Sequence, residues 1–168
     1  RLALYDVVVP PDQSVPAMIR LKLLRALELA NLPNLKHVEA RFRNSPFDPG
    51  NKYTVPFQWG TVGLFVRMPK ATPEADSWSL LFDPKKQAGS FVMLDSDRDM
   101  IGAALKFLGH DLNSTDLGQL KQARELLLQA KPRSLGFAGG VGGKNKVLAK
   151  EAVVAVAYSG DAVRGMKE

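Results

Sequence analysis

An α/β fold, with a mainly parallel sheet and helices on both of its faces, is what this sequence predicts, and three observations carry the prediction. The segments "LYDVVVP", "GSFVML" and "AVVAVAY" are short apolar runs rich in β-branched residues, as buried strands require. Other stretches place apolar residues at helical spacing, most clearly "DSDRDMIGAALKFLG" and "STDLGQLKQARELLLQAK". The second and third of those strands pass through a short polar turn straight into a helix, the order in which parallel sheets are built.

Taken along the chain, each element has a local reason. "LYDVVVP" is a strand closed by Pro10 and Pro11. "SVPAMIRLKLLRALEL" carries Met18, Leu21, Leu24, Leu27 and Leu29 near helical spacing, with Pro16 confining the helix start. "NSPFDPGNKY" is a turn-rich connection. The second half of "YTVPFQWGTVGLFVR" reads as a strand, and its Gly60 and Gly63 mark a bulge or a close backbone approach. "MPKATPEADSW" is an exposed linker, and "SWSLLFDPKKQ" a short helix ended before Pro84. The helix after "GSFVML" has Asp95 or Ser96 as N-cap, Asp97 and Asp99 in its first turn, and Gly109 at its end. Its buried face is Met100, Ile101, Ala104, Leu105 and Leu108. The next helix is capped around Ser114 to Asp116 and ended by Pro132.

Composition excludes several chemistries. With no cysteine among 168 residues there is no disulfide scaffold, thiolate metal site or cysteine nucleophile. His37 and His110 lie far apart without metal-ligand spacing, so both read as surface or helix-end histidines. The net charge of +6 raises the question of an anionic partner. It is spread as +2 over residues 1–50, 0 over 51–130 and +4 over 131–168, with no run of five Lys or Arg. The surplus reads as scattered surface Lys, which argues against a basic α/β module for nucleic acid; that module is kept as a rival reading, together with a binding protein for some other small ligand. No apolar run approaches the roughly 20 residues that span a bilayer, and no signal peptide is read at the start. Both ends are expected to interrupt a larger fold. Nothing pairs a nucleophile with a base, so the chain reads as a binder, not an enzyme, with no cofactor or metal.

Three segments could carry chemistry. "GFAGGVGGKNK" tempts as a phosphate loop, but Ala138 stands where the first glycine belongs and Asn145 where Ser or Thr does. It reads as a flexible surface loop. In "DSDRD", the acidic residues either match the helix dipole or offer Asp99 and Ser96 to a cationic ligand at a strand's carboxyl end. In "AYSGDAV", Tyr158 either packs in the core or stacks on an ammonium, and Asp161 either caps the next helix or pairs with that charge.

In this order the segments resemble the central part of a bacterial periplasmic polyamine-binding protein, the spermidine/putrescine-type substrate-binding component of an ABC importer. The resemblance runs through "YDVVVP", "NSPFDPGNKYTVPFQWGTVGLFV", "DSWSLLFDPKKQAGSFVMLD" and "AVVAVAYSGDAV". It implies a periplasmic-binding-protein type II-like α/β fold, mostly the second lobe with part of the first. Residues 1–60 would belong to lobe one and 61–158 to lobe two, with 159–168 opening the return. Trp59, Gly60, Thr61 and Gly63 would form the hinge crossing. Asp12, Gln13 and Ser14, Ser96, Asp99, Tyr158 and Asp161 take the positions that contact ligand in the family. Gln13, Ser96 and Tyr158 depart from the family's usual side chains. The implied ligand is a polyamine or related cationic amine, the implied partners are membrane permease subunits and not nucleic acid, and the implied location is the periplasm or a lipid anchor outside the membrane. Because the family's other cleft walls fall outside this chain, weak polyamine binding or none is expected of it alone.

Overall fold

The computed structural model describes residues 5–67 and 77–168. The chain divides into two compact units, Arg1–Trp59 and Gly60–Glu168.

The first unit is built from short pieces. Asp12–Ser14 forms a 3-10 turn leading into helix α1, Val15–Arg20, and further 3-10 turns follow at Leu29–Asn31, Pro33–His37, Ala40–Phe42 and Pro49–Asn51. Two sequence expectations fail here. Tyr5 to Val9 pair with no described strand and expose Tyr5, Val7 and Val9, because strand propensity alone cannot replace a neighbouring backbone to hydrogen-bond. The predicted long helix ends at Arg20: Lys22 adopts a positive φ of 54°, and Leu21 and Leu23 face solvent. The turn-rich connection is instead organised by a buried carboxylate. Asp48 accepts hydrogen bonds from the Tyr53 amide, the Thr54 amide at 2.8 Å and the Thr54 hydroxyl at 2.7 Å.

The second unit is a four-stranded sheet of order β1-β4-β2-β3: β1 Val62–Val66, β2 Phe91–Leu94, β3 Phe137–Ala138 and β4 Val154–Tyr158. β2 runs parallel to β3 and β4, and β1 pairs antiparallel with β4. Helices α2 (Ser79–Phe82), α3 (Asp97–Phe107), α4 (Leu117–Ala130), α5 (Gly140–Leu148) and α6 (Ser159–Gly165) complete it. Strand alternation divides the core. Phe91, Met93, Val154 and Val156 join Leu81, Phe82, Met100, Leu105 and Ala123 from α2, α3 and α4. On the other face, Val92 and Ala155 pack with Val147 of α5 and with Phe65. The predicted buried strands at 91–94 and 154–158 and both long helices form as expected, with Asp116 capping α4 by accepting from the Gln119 amide at 2.8 Å.

Two glycine expectations divide. A Cβ at Gly60 would lie 3.1 Å from Ser159 Oγ, a close approach that favours glycine. Gly63 marks no bulge: it pairs in regular register with Ala157 and has open space where a side chain would go. The glycine-rich stretch 136–146 is not a loop but β3 and α5. Gly143 is buried, with a Cβ position 3.3 Å from Ala155 Cβ, so its missing side chain lets α5 lie close on the sheet. Most of the predicted linker "MPKATPEADSW" lies outside the described residues. No described helix is long and apolar enough to cross a membrane.

Candidate functional site

β2, β3 and β4 point the same way, so the helices that follow them, α3, α5 and α6, all begin at one edge of the sheet. This is the edge at which open α/β sheets receive ligands. Three of the four side chains singled out in this unit meet there by hydrogen bonding. Asp99, in the first turn of α3, accepts at one oxygen, Oδ2, from the Ser96 hydroxyl at 2.7 Å and from the Tyr158 hydroxyl at 3.2 Å. Ser96 occupies the N-cap position without a capping bond, its hydroxyl being committed to Asp99. Tyr158, at the end of β4, is 41% exposed, which excludes the core reading.

Asp161 lies in the first turn of α6, whose N-cap residue is Tyr158, and it caps nothing. Its carboxylate sits where a Cβ on Gly140 would be, with the Tyr158 ring beside it. Among the described residues neither Asp99 nor Asp161 lies in an ion pair. Two half-buried carboxylates thus flank one tyrosine without a protein cation to neutralise them. Such a site suits a ligand that brings positive charge and hydrogen-bond donors.

The Tyr158 phenol is held above its ordinary pKa, first by burial, then by the negative charge of Asp99 and the hydrogen bond to it. Asp99→Asn is therefore expected to lower the Tyr158 pKa, read by ultraviolet absorbance titration with Tyr5 and Tyr53 replaced by phenylalanine. An unchanged midpoint would show that the two groups are not coupled. Because the folded-state pKa is the higher one, the phenol's contribution to stability is complete below pH about 10 and is lost as pH rises through the folded value.

The other expected positions lie elsewhere. Asp12, Gln13 and Ser14 form the 3-10 turn of the first unit, where Asp12 accepts from the Gln13 amide at 2.8 Å. Trp59 closes that unit, packing on Phe42 at 5.6 Å and lying 5.2 Å from the Arg41 guanidinium. Thr61, the second residue of the second unit, is tied to Ser159 twice: the Ser159 amide donates to the Thr61 carbonyl at 2.8 Å, and Ser159 Oγ accepts from the Thr61 amide at 3.1 Å. Ser159 and Gly140 were not singled out from the sequence. A glycine pair directly before a helical stretch was the available signal for Gly140.

The comparisons with known proteins agree with this architecture. No family model matches the chain. The putrescine/cadaverine-binding protein of Pseudomonas aeruginosa is 37% identical over 139 residues, covering 79% of this chain and 39% of the relative. The spermidine/putrescine-binding periplasmic protein 1 of Haemophilus influenzae is 35% identical over 134 residues, 79% of this chain and 37% of the relative. The chain is a homologue of the periplasmic polyamine-binding proteins. It spans about two fifths of the length of these two homologues.

Solved structures of such homologues share the fold. A structure from Listeria monocytogenes aligns with a TM-score of 0.80 at 32% identity, over 92% of this chain and 48% of that one. The spermidine/putrescine ABC transporter substrate-binding protein of Streptococcus pneumoniae aligns at 0.69 and 27% identity, over 91% of this chain and 47% of that one. The Treponema pallidum lipoprotein of this kind aligns at 0.75 and 27%, over 90% and 47%. The fold is that of the type II periplasmic binding proteins, as the resemblance implied. These relatives carry the names of binding proteins.

Proposed function

We propose that this chain supplies the cation-recognising wall of an extracytoplasmic solute-binding protein, which captures a polyamine or related cationic amine for an ABC importer. One observation carries the reading: two carboxylates with no ion-pair partner among the described residues flank Tyr158 at the carboxyl edge of the sheet, in a chain whose net charge is +6. Two half-buried acids that no described cation pairs offer a place for a cationic ligand at this edge. The homologues' names point to the same ligand class, to the periplasm and to an ABC transporter, whose membrane permease subunits are the partners in this reading.

In this reading residues 1–60 contribute to lobe one, residues 61–158 form most of lobe two, and 159–168 open the return. Trp59, Gly60, Thr61 and Gly63 are the hinge crossing, with the paired hydrogen bonds between Thr61 and Ser159 holding the two crossing segments side by side. Asp12, Gln13 and Ser14 are the contribution of lobe one to ligand contact. Asp99 and Asp161 pair with ammonium groups, Ser96 donates or accepts a hydrogen bond, and Tyr158 stacks on the ligand's methylene chain or an ammonium.

The test is a nuclear magnetic resonance titration of this chain with putrescine and with spermidine. The expected result is weak, saturable binding, above the micromolar range, with shifts centred on Ser96, Asp99, Tyr158 and Asp161 and abolished in the double variant Asp99→Asn, Asp161→Asn. Shifts centred elsewhere, or a response that survives the double substitution, would overturn the assignment.

A further inference from the structure

We propose that Gly140 is a positioning residue of this site: its missing side chain is the space that the Asp161 carboxylate and the Tyr158 ring occupy. The inference rests on the binding-site reading above but names a residue that reading does not use.

The geometry is specific to this one glycine. Gly140 is buried and opens α5, with Gly139 as the N-cap residue. A Cβ built on Gly140 would overlap Asp161 Oδ2, approach Asp161 Cγ to 3.5 Å and come within 2.9 Å of Tyr158 Cδ2. The preceding Gly139 has nothing within 4 Å of its own Cβ position. At Gly142 the nearest atom is Ala138 Cβ at 3.4 Å, and at Gly143 it is Ala155 Cβ at 3.3 Å, so both face ordinary packing neighbours. Among the glycines of α5 and its N-cap, Gly140 is the one whose side-chain space belongs to the site.

The positive end of the α5 dipole adds a reason for the arrangement. With no Cβ in the way, the Asp161 carboxylate rests directly against the first residue of α5, where a negative charge is favoured. Alanine at 140 would press the carboxylate away from that helix end and turn the Tyr158 ring, and with it the hydroxyl that meets Asp99. The backbone of Gly140 does not need glycine, since its φ lies outside the left-handed region. Alanine also favours a helix more than glycine does. The substitution therefore separates site from fold.

The experiment compares Gly140→Ala with Gly139→Ala in the full chain. In Gly140→Ala the affinity for putrescine is expected to fall at least tenfold with the thermal midpoint unchanged or raised, whereas Gly139→Ala keeps wild-type affinity. Equal affinities in wild type and both variants would overturn the proposal, as would equal losses in both. If the wild type itself shows no response to putrescine or spermidine, the polyamine reading fails on its own, and Gly140 is judged without ligand. The Tyr158 ring resonances should then move in Gly140→Ala and stay in Gly139→Ala; ring resonances unmoved by either substitution would overturn it. Should Gly140→Ala fail to fold, the double variant Gly140→Ala, Asp161→Ala should refold, and a double variant that stays unfolded would refute the overlap.

Discussion

Replacing Phe91 by alanine is expected to destabilise the chain by about 3–5 kcal/mol, the largest loss at any single position. Phe91 is the largest of the fully buried side chains and begins β2, the strand that touches both β3 and β4. Its ring supports the core beneath α2, α3 and α4. The Arg133 guanidinium sits 5.7 Å from the ring centre and binds the Leu81 carbonyl at 2.9 Å, which ties the turn after α4 to the end of α2. Deleting the ring leaves a cavity under that clamp as well as losing the buried apolar area. A domain of this size is stable by only about 5–15 kcal/mol, so the variant should unfold at markedly lower urea concentration. A loss below about 1.5 kcal/mol would mean that the sheet does not depend on this packing.

Asp48→Ala is the second large effect, expected to cost about 3 kcal/mol or more and to act within the first unit. The carboxylate is 1% exposed and satisfies two amides and one hydroxyl of Tyr53 and Thr54. Alanine leaves these donors without a partner, and a buried unsatisfied donor costs about 1–3 kcal/mol. Hydrogen exchange gives the local readout: the Tyr53 and Thr54 amides should lose protection, while the amides of β2 and β4 keep theirs. Unchanged protection at 53 and 54 would show that water or another group replaces the carboxylate.

The sequence by itself determined the elements whose causes are local. Apolar runs within "GSFVML" and "AVVAVAY" read as buried strands and became β2 and β4, and the helices at 97–107 and 117–130 announced their starts, faces and ends through Asp116, Gly109 and Pro132. The edge of the proposed site was legible for the same reason, because a strand followed by a short polar turn and a helix puts the turn residues at the strand's carboxyl end. Ser96, Asp99, Tyr158 and Asp161 were placed at that edge in this way, and the structure puts them there.

What the tertiary structure alone decided depends on partners distant in sequence. "YDVVVP" has strand composition but no described strand pairs with Tyr5 to Val9, since hydrogen-bond partners are not encoded in a segment's own residues. "GFAGGVGGKNK" has loop composition, yet it becomes a strand and a helix because the sheet rewards glycines that allow close approach. Which oxygen of Asp99 receives both hydroxyls, and that Asp161 fills the space beside Gly140, are facts about separations of up to 59 residues along the chain. Periodicity and capping act within one or two helical turns, whereas a binding site is assembled from side chains that only the packed sheet and its helices bring together.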